Sequence, residues 1–331
     1  MSHVVVVTTG GTIAARADAR GDLLAHDSGA ELLDRSALPG VTTEVIDLFR
    51  TGSNLMTFAM AHDLAVRVAA HAARPEVDGI VVTHGTDTLE ETAFLLQLCV
   101  GPATPVIVTG AQRAADQLGA DGPRNLHDAV TAAAHPASRH RGTMVAFDGC
   151  LYPAWGVRKM DTTSIHGFDA PGHGQIGFVR DSTVVYQRPS ENLPRVDPGT
   201  IVPARARVDI VATYPGSDGA AIDALVSVGA RGLVIEGMGA GNTSAGVAAA
   251  ASEAIASGVL VMLASRVPFG QVAAAYGGDG GGADLVRAGA IPTGLLKAPQ
   301  ARMLLAALLG TSDAPEDVRD LLLDRFRVFL T

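Results

Sequence analysis

Short runs of valine and isoleucine recur along the chain, and each ends in glycine, threonine or serine before a stretch rich in alanine and leucine. Seven such runs cover residues 4–8, 79–83, 105–109, 143–147, 208–212, 232–235 and 259–263. Regularly spaced polar residues do not interrupt them, which is typical of strands buried on both faces. Amphipathic stretches with helical spacing cover residues 62–73, 88–100, 125–134, 220–228, 245–257 and 300–309. A repeated strand–helix order predicts βαβ units and an α/β fold with a parallel sheet.

Prolines interrupt this pattern once, over the segment 188–207. It contains Pro189, Pro194, Pro198 and Pro203 among polar residues. Proline at this density cannot continue a helix or a central strand, so the segment is predicted to be a linker. We therefore predict a larger parallel-sheet α/β domain over residues 1–187 and a smaller α/β domain over residues 208–331. A length of 331 residues also favours two domains.

Composition and charge argue against several classes of protein. The net charge of −9 argues against an electrostatic binder of nucleic acid or of anionic membranes. No apolar run reaches membrane-spanning length, and two cysteines are too few for a disulfide scaffold. The first residues lack the features of an export signal, so a cytoplasmic location is expected, although a chain with its leader removed would look the same.

The first predicted strand ends in Gly10-Gly11-Thr12. Paired glycines allow a tight turn with exposed backbone N–H groups, and here a threonine hydroxyl follows them. Taken alone, the motif indicates a tight turn capped by threonine. A nucleotide site is not favoured, because the spacings of the known phosphate-binding loops are absent.

The second predicted strand ends in Thr83-His84-Gly85-Thr86-Asp87-Thr88. Residues of this turn could cap the helix that follows, whose first turn carries two glutamates. Capping explains one or two of them, but not the crowding of hydroxyl, imidazole and carboxyl groups at one strand end. Ligands of open α/β sheets bind at the carboxyl ends of strands, so these two ends are predicted to form a functional site.

Together, Thr9-Gly10-Gly11-Thr12-Ile13-Ala14 and His84-Gly85-Thr86-Asp87-Thr88 resemble the paired signatures of the bacterial-type L-asparaginase family, which includes glutaminase-asparaginases. The resemblance continues along nearly the whole chain, in Gly110-Ala111-Gln112-Arg113, in residues 120–126, in Arg158-Lys159-Met160-Asp161-Thr162-Thr163, in Gly239-Ala240-Gly241-Asn242 and in Ser265-Arg266-Val267-Pro268. It implies a larger α/β domain joined to a smaller one, and the hydrolysis of asparagine to aspartate and ammonia.

The resemblance also implies catalytic roles. Thr12 would be the nucleophile that carries the acyl group; a free hydroxyl is a weak nucleophile and needs a base or a positive neighbour. Thr86 would position or activate the attacking water, while Lys159 would lower the proton affinity of the threonine. Asp87 would orient the lysine and bind the α-amino group of the substrate. How the two threonines share the work stays open, and without its flanking motif Lys159 would be interpreted as an ordinary surface lysine.

A set of substrate-binding groups follows from the same resemblance. Ser53 and Asn54 occupy the position where relatives hold the α-carboxylate and α-amino groups, although either could simply form a turn or cap. Backbone N–H groups around Gly11, at Thr86 or at Ala111 are the predicted donors to an anionic tetrahedral intermediate.

Two departures from the family pattern concern the activation of the nucleophile and the closure of the site over the substrate. Relatives usually place a tyrosine on a loop after the nucleophile, but residues 13–33 contain none. Relatives often supply a glutamate after the Ser-Arg-Val-Pro segment, but residues 271–277 contain no acid.

By resemblance the protein is a homotetramer, a dimer of dimers in which each site borrows residues from a neighbour's smaller domain. Asn242 and Tyr276 are the candidates, and a turn asparagine and a partly buried tyrosine are the alternatives.

No cofactor is expected, and no metal, because the histidine pairs match no tight ligand spacing. His84 is expected to be held by local hydrogen bonds rather than to act as a base. The expected partner is a small-molecule substrate, asparagine first. Alternatives are a related amidohydrolase acting on glutamine or another amide, and a catalytically silent amino-acid-binding homologue, which the two departures favour and the four catalytic residues disfavour.

Overall fold

The computed structural model describes residues 1–34 and 38–330, and the chain divides into two compact units after Pro198. The boundary lies within the proline-rich segment 188–207. Both units alternate strands with helices, so the α/β class and the presence of a larger and a smaller sheet domain are confirmed.

The first unit is built on an eight-stranded sheet. Its strands and helices are β1 (Ser2–Gly10), β2 (Ala15–Ala17), β3 (Leu23–Ala25), α1 (Gly29–Asp34), β4 (Val41–Thr51), α2 (Phe58–Ala72), β5 (Gly79–Thr83), α3 (Leu89–Cys99), β6 (Val106–Thr109), α4 (Gly122–Ala134), β7 (Thr143–Phe147), β8 (Cys150–Pro153), β9 (Arg158–Lys159), β10 (Phe168–Asp169), β11 (Gly177–Arg180) and β12 (Thr183–Tyr186).

The strand order is β12-β11-β8-β7-β6-β5-β1-β4. The five strands from β7 to β4 run parallel, while β8, β11 and β12 extend the sheet in antiparallel pairs. The valines of β1 at positions 4–7 are almost completely buried, as expected for a central strand covered on both faces. β2 pairs with β3, and β9 with β10, as two small separate hairpins.

The second unit contains a four-stranded parallel sheet in the order β13-β14-β15-β16. Its elements are β13 (Val208–Ala212), α5 (Ala220–Ser227), β14 (Gly232–Gly237), α6 (Ala245–Ala256), β15 (Leu260–Ser265), α7 (Gly282–Ala288), β16 (Ile291–Pro292), α8 (Ala298–Leu309) and α9 (Pro315–Asp324). Apolar residues of α6, β14 and β15 pack into one core cluster. Within residues 1–34 and 38–330, no helix is long and apolar enough to cross a membrane.

Candidate active site

The ends of three neighbouring strands meet at one edge of the large sheet. β4, β1 and β5 are adjacent and parallel, so their carboxyl ends lie side by side. The turns after these strands border a cleft of about 480 Å³. The cleft is lined by Gly11, Thr12, Ala15, Leu23, Leu24, Ala25, Arg50, Thr51, Gly52, Ser53, Asn54, Leu55, Gly85, Thr86 and Asp87.

Gly11 brings two of these turns into backbone contact. Its φ of +80° lies in the left-handed region, which favours glycine, and a Cβ added there would lie 2.4 Å from Cα of Gly85. The turn that carries Thr12 therefore packs directly on the turn that carries Thr86. The N–H of Gly11 donates to the carbonyl of Thr51 at 3.0 Å. The Gly11 N–H is therefore engaged within the fold, while Gly11 itself lines the cleft. Its part in substrate binding stays a prediction.

Lys159 joins the residues that follow β5. Its Nζ donates to Oγ1 of Thr86 and to Oδ1 of Asp87, both at 2.8 Å. Thr86 is buried, and its hydroxyl in turn donates to Oε1 of Gln112 at 3.3 Å. The predicted trio is thus brought together although 72 positions separate Asp87 from Lys159. Lysine, hydroxyl and carboxylate in one cluster can orient and polarise a water molecule beside the cleft.

Ser53 and Asn54 lie in the turn after β4. Ser53 is buried; its Oγ accepts the N–H of Asp87 at 3.1 Å, and its carbonyl accepts the hydroxyl of Thr88 at 2.9 Å. Ser53 therefore ties the end of β4 to the end of β5. Asn54 is exposed and lines the cleft, where its amide can meet a ligand.

Glu90 and Gln112 belong to the same surroundings, although the sequence analysis assigned them no role. Oε2 of Glu90 accepts the backbone N–H of Lys159 at 2.6 Å, and burial raises the pKa of Glu90 to about 7. Nε2 of Gln112 donates to the carbonyl of Asp161 at 3.1 Å, so its amide bridges Thr86 and the segment after β9. The sequence signal for Glu90 was a pair of glutamates in a first helical turn, which helix electrostatics already explained. Gln112 lay in one of the segments that carry the family resemblance.

His84 lies beneath these turns and is completely buried. Its Nδ1 donates to the carbonyl of Gly85 at 2.8 Å. Burial disfavours the charged imidazolium and lowers the pKa of His84 to about 4. A neutral imidazole in this position orients the turn that leads to Thr86.

The hairpin of β2 and β3 covers part of the cleft, in the region where relatives usually place a tyrosine. Leu23 and Leu24 line the cleft and remain 46% and 58% exposed. Arg16 anchors the hairpin base: its Nε lies 2.5 Å from Oδ1 and its Nη2 3.1 Å from Oδ2 of the buried Asp27. The hairpin thus presents aliphatic groups to the cleft and has a fixed base.

Three further predicted residues are Ala111, Asn242 and Tyr276. Ala111 is fully buried after β6 and does not belong to the cleft lining given above. In the second unit, Oδ1 of Asn242 accepts the N–H of Gly282 at 3.2 Å, and Tyr276 is 63% exposed. Within the described part of the chain, no group of three or more histidine, cysteine, aspartate or glutamate side chains is arranged to hold a metal ion.

The sequence of this chain is similar to those of known asparaginases over nearly its full length. Residues 3–192 match the family described as Asparaginase, N-terminal, and residues 207–322 match the Glutaminase/Asparaginase C-terminal domain. An L-asparaginase of Bacillus licheniformis is 36% identical over 93% of this chain and 95% of its own length. A probable periplasmic L-asparaginase of Haemophilus influenzae is 31% identical, with 96% and 92% covered. L-asparaginase 2 of Escherichia coli is 30% identical, with 97% and 92% covered.

Proposed function

This chain belongs to the asparaginase family, and from that premise we propose that it hydrolyses the side-chain amide of L-asparagine through an acyl-enzyme carried by Thr12. Asparagine hydrolysis in general is supported by relatives named L-asparaginase that match over nearly the full chain. The observation that carries the mechanism is the lysine bridge: Nζ of Lys159 lies 2.8 Å from both Thr86 and Asp87, at the cleft that Thr12 lines.

In the first step the hydroxyl of Thr12 attacks the amide carbon of the substrate. The bond from carbon to nitrogen breaks, the hydroxyl proton goes to the leaving nitrogen, and ammonia departs. The aspartyl group remains as an ester on Thr12. The negative charge on the intermediate's oxygen needs donors fixed in advance, and the N–H groups of Thr12 and Thr86 fill that role in this proposal, since that of Gly11 is engaged.

In the second step water attacks the ester. The Thr86 hydroxyl, which the ammonium of Lys159 polarises, orients this water. The water oxygen becomes part of the new carboxylate, one of its protons goes to the oxygen of Thr12 as the ester bond breaks, and the other is released to solvent. Asp87 has a largely exposed carboxylate, which can bind the α-ammonium group of the substrate while it holds the lysine. Ser53 and Asn54 supply polar groups for the α-carboxylate and α-amino groups of the substrate.

The test is ammonia release from L-asparagine by the purified chain and by Thr12→Ala. We expect turnover by the natural chain and a loss of at least about a thousandfold in Thr12→Ala, because removal of a nucleophile costs orders of magnitude. Thr12→Ser, which keeps a hydroxyl, should retain measurable activity. If Thr12→Ala keeps more than about a tenth of the rate, Thr12 is not the nucleophile.

Substrate size can be tested with the same assay. Asn54 is shorter than the glutamine or glutamate that relatives place there, so its contact with the substrate amino group can be direct or bridged by water. We expect kcat/KM to be higher for L-asparagine than for L-glutamine. Equal values would contradict this expectation. Calorimetric binding of asparagine without ammonia release would instead favour the silent homologue.

Assembly and location remain proposals as well. We propose a homotetramer, a dimer of dimers, in which Asn242 and Tyr276 of one copy serve the site of a neighbour. The cytoplasmic location expected from the sequence also stays a prediction, since one matched relative is named periplasmic. Analytical ultracentrifugation and cell fractionation test the two points separately.

A further inference from the structure

A buried carboxylate connects Lys159 to the helix that begins just after Asp87. Glu90, in the first turn of α3, is 7% exposed. Its Oε2 accepts the backbone N–H of Lys159 at 2.6 Å, and its Oε1 lies 3.8 Å from Nε of Arg158. One side chain therefore contacts both residues of β9.

β9 forms only a short ladder with its partner strand. It contains two residues and pairs with only two residues of β10, Phe168 and Asp169. An isolated two-stranded pair is marginally stable even when it is longer. The Nζ of Lys159 nevertheless has to be held within hydrogen-bonding distance of two acceptors at the cleft. The hydrogen bond from the Lys159 backbone to Glu90, on the buried helix α3, adds a constraint to this short pair.

Charged groups surround Glu90 on both elements that meet there. Arg158 and Lys159 face it from β9 and favour the ionised carboxylate, while Glu91 on its own helix disfavours it. Burial outweighs these effects and raises the pKa of Glu90 to about 7. The anchor therefore changes charge in the neutral range. In its ionised form it binds the Lys159 N–H and the Arg158 guanidinium more strongly.

We propose that Glu90 is a positioning residue for Lys159, holding its backbone so that Nζ reaches Thr86 and Asp87, with the firmness of this hold set by the ionisation of the Glu90 carboxyl. The catalytic consequence rests on the proposed function, whereas the contact itself does not. Two substitutions separate the parts of the proposal. Glu90→Gln keeps an oxygen acceptor but cannot ionise, and Glu90→Ala removes the acceptor. Glu91→Gln, one position along the same helix, is the matched control.

A readout independent of turnover is available because the chain contains only two lysines, Lys159 and Lys297. Lysine labelled with ¹³C at Cε should give two signals, and Lys297→Arg identifies which belongs to Lys159. We expect the Lys159 signal of the natural chain and of Glu91→Gln to shift with a midpoint near pH 7, following the Glu90 carboxyl. In Glu90→Gln this inflection should vanish. If it persists there, the proposal is overturned, whether or not the chain hydrolyses asparagine.

Activity gives the second arm. Glu90→Ala should lower kcat for asparagine by about ten- to a hundredfold with KM changed less than about threefold, since small displacements of a catalytic group cost rates of that size. In the natural chain kcat should rise through pH 7 as Glu90 ionises. Glu90→Gln should lose this rise and keep kcat near the value that the natural chain has below pH 7. Equal behaviour of the two variants would reject the anchor. If the natural chain releases no ammonia, the proposed function fails, and the Lys159 signal alone decides whether Glu90 positions the lysine.

Discussion

Lys159 and Asp87 form an ion pair that solvent reaches unevenly, with 18% of the lysine and 59% of the aspartate side chain exposed. Ion pairs with such access to water contribute about 0–1 kcal/mol to stability. The pair therefore contributes little to the stability of the fold. The pair does fix the position of an ammonium group 2.8 Å from the hydroxyl of Thr86. At that position we expect the charge to affect the rate of catalysis rather than the stability of the fold.

The contrast between catalysis and stability predicts the effect of Lys159→Met. We expect kcat to fall by about a thousandfold or more, because the positive neighbour of Thr86 is lost, while the free energy of unfolding changes by less than about 1 kcal/mol. Steady-state kinetics and urea unfolding measure the two effects. Arg67→Met is the control, since Arg67 is an exposed cation paired with Asp63 on α2. A loss no larger than that of the control would make Lys159 an ordinary surface lysine.

At the scale of elements, the buried parallel strands could be predicted from the sequence almost residue by residue. β5 and β7 match their predicted bounds, because continuous runs of apolar residues mark strands covered on both faces. β4 was not predicted. It lies at the sheet edge and is half exposed, so polar residues interrupt its apolar ones. The antiparallel strands β8, β11 and β12 are four residues each, too short for a periodic signal.

The features of the site also divide into those that could be predicted from the sequence and those that could not. Thr12, Thr86 and Asp87 follow strands that could be predicted, so their meeting at one sheet edge could be predicted too. The contact between Glu90 and Lys159 could not, because it joins residues 69 positions apart through a two-residue strand. Such a contact depends on tertiary packing, which local patterns of polar and apolar residues do not encode.

The hairpin of β2 and β3 gives a prediction at this scale. Arg16 holds its base through two hydrogen bonds to the buried Asp27. Arg16→Met should loosen the hairpin, so we expect KM for asparagine to rise by about tenfold while kcat stays within about threefold, since the leucines that border the cleft become less ordered. Limited proteolysis should show faster cleavage within residues 17–25.

Arg20→Met is the matched control for this hairpin, because Arg20 lies in the exposed turn between β2 and β3. It should leave both KM and the proteolysis pattern unchanged. A fall in kcat with unchanged KM in Arg16→Met would contradict the interpretation, because it would indicate that Arg16 acts on the chemical step rather than on closure over the substrate.

At the scale of the whole molecule, the second unit exposes large apolar side chains next to one strand end. Val267, Phe269 and Tyr276 follow β15 and are 39%, 62% and 63% exposed. Exposed apolar side chains mark protein contact surfaces where they form one continuous patch. They support the proposal that this segment meets another copy of the chain, and that Tyr276 supplies the phenol that the β2–β3 hairpin lacks.

Mixing inactive variants tests this assembly. Thr12→Ala and Tyr276→Phe should each lose most activity alone, and the same holds for Asn242→Ala. After joint dissociation and reassembly in equal amounts, half of the dimers should contain one chain of each kind. In such a dimer one site combines an intact Thr12 from one chain with an intact Tyr276 from the other, so about a quarter of the natural activity should return. Thr12→Ala mixed with Thr12→Ala/Tyr276→Phe is the control, because no intact Thr12 is present. If the first mixture stays inactive while its chains co-assemble, Tyr276 acts within its own chain or has no part in the site.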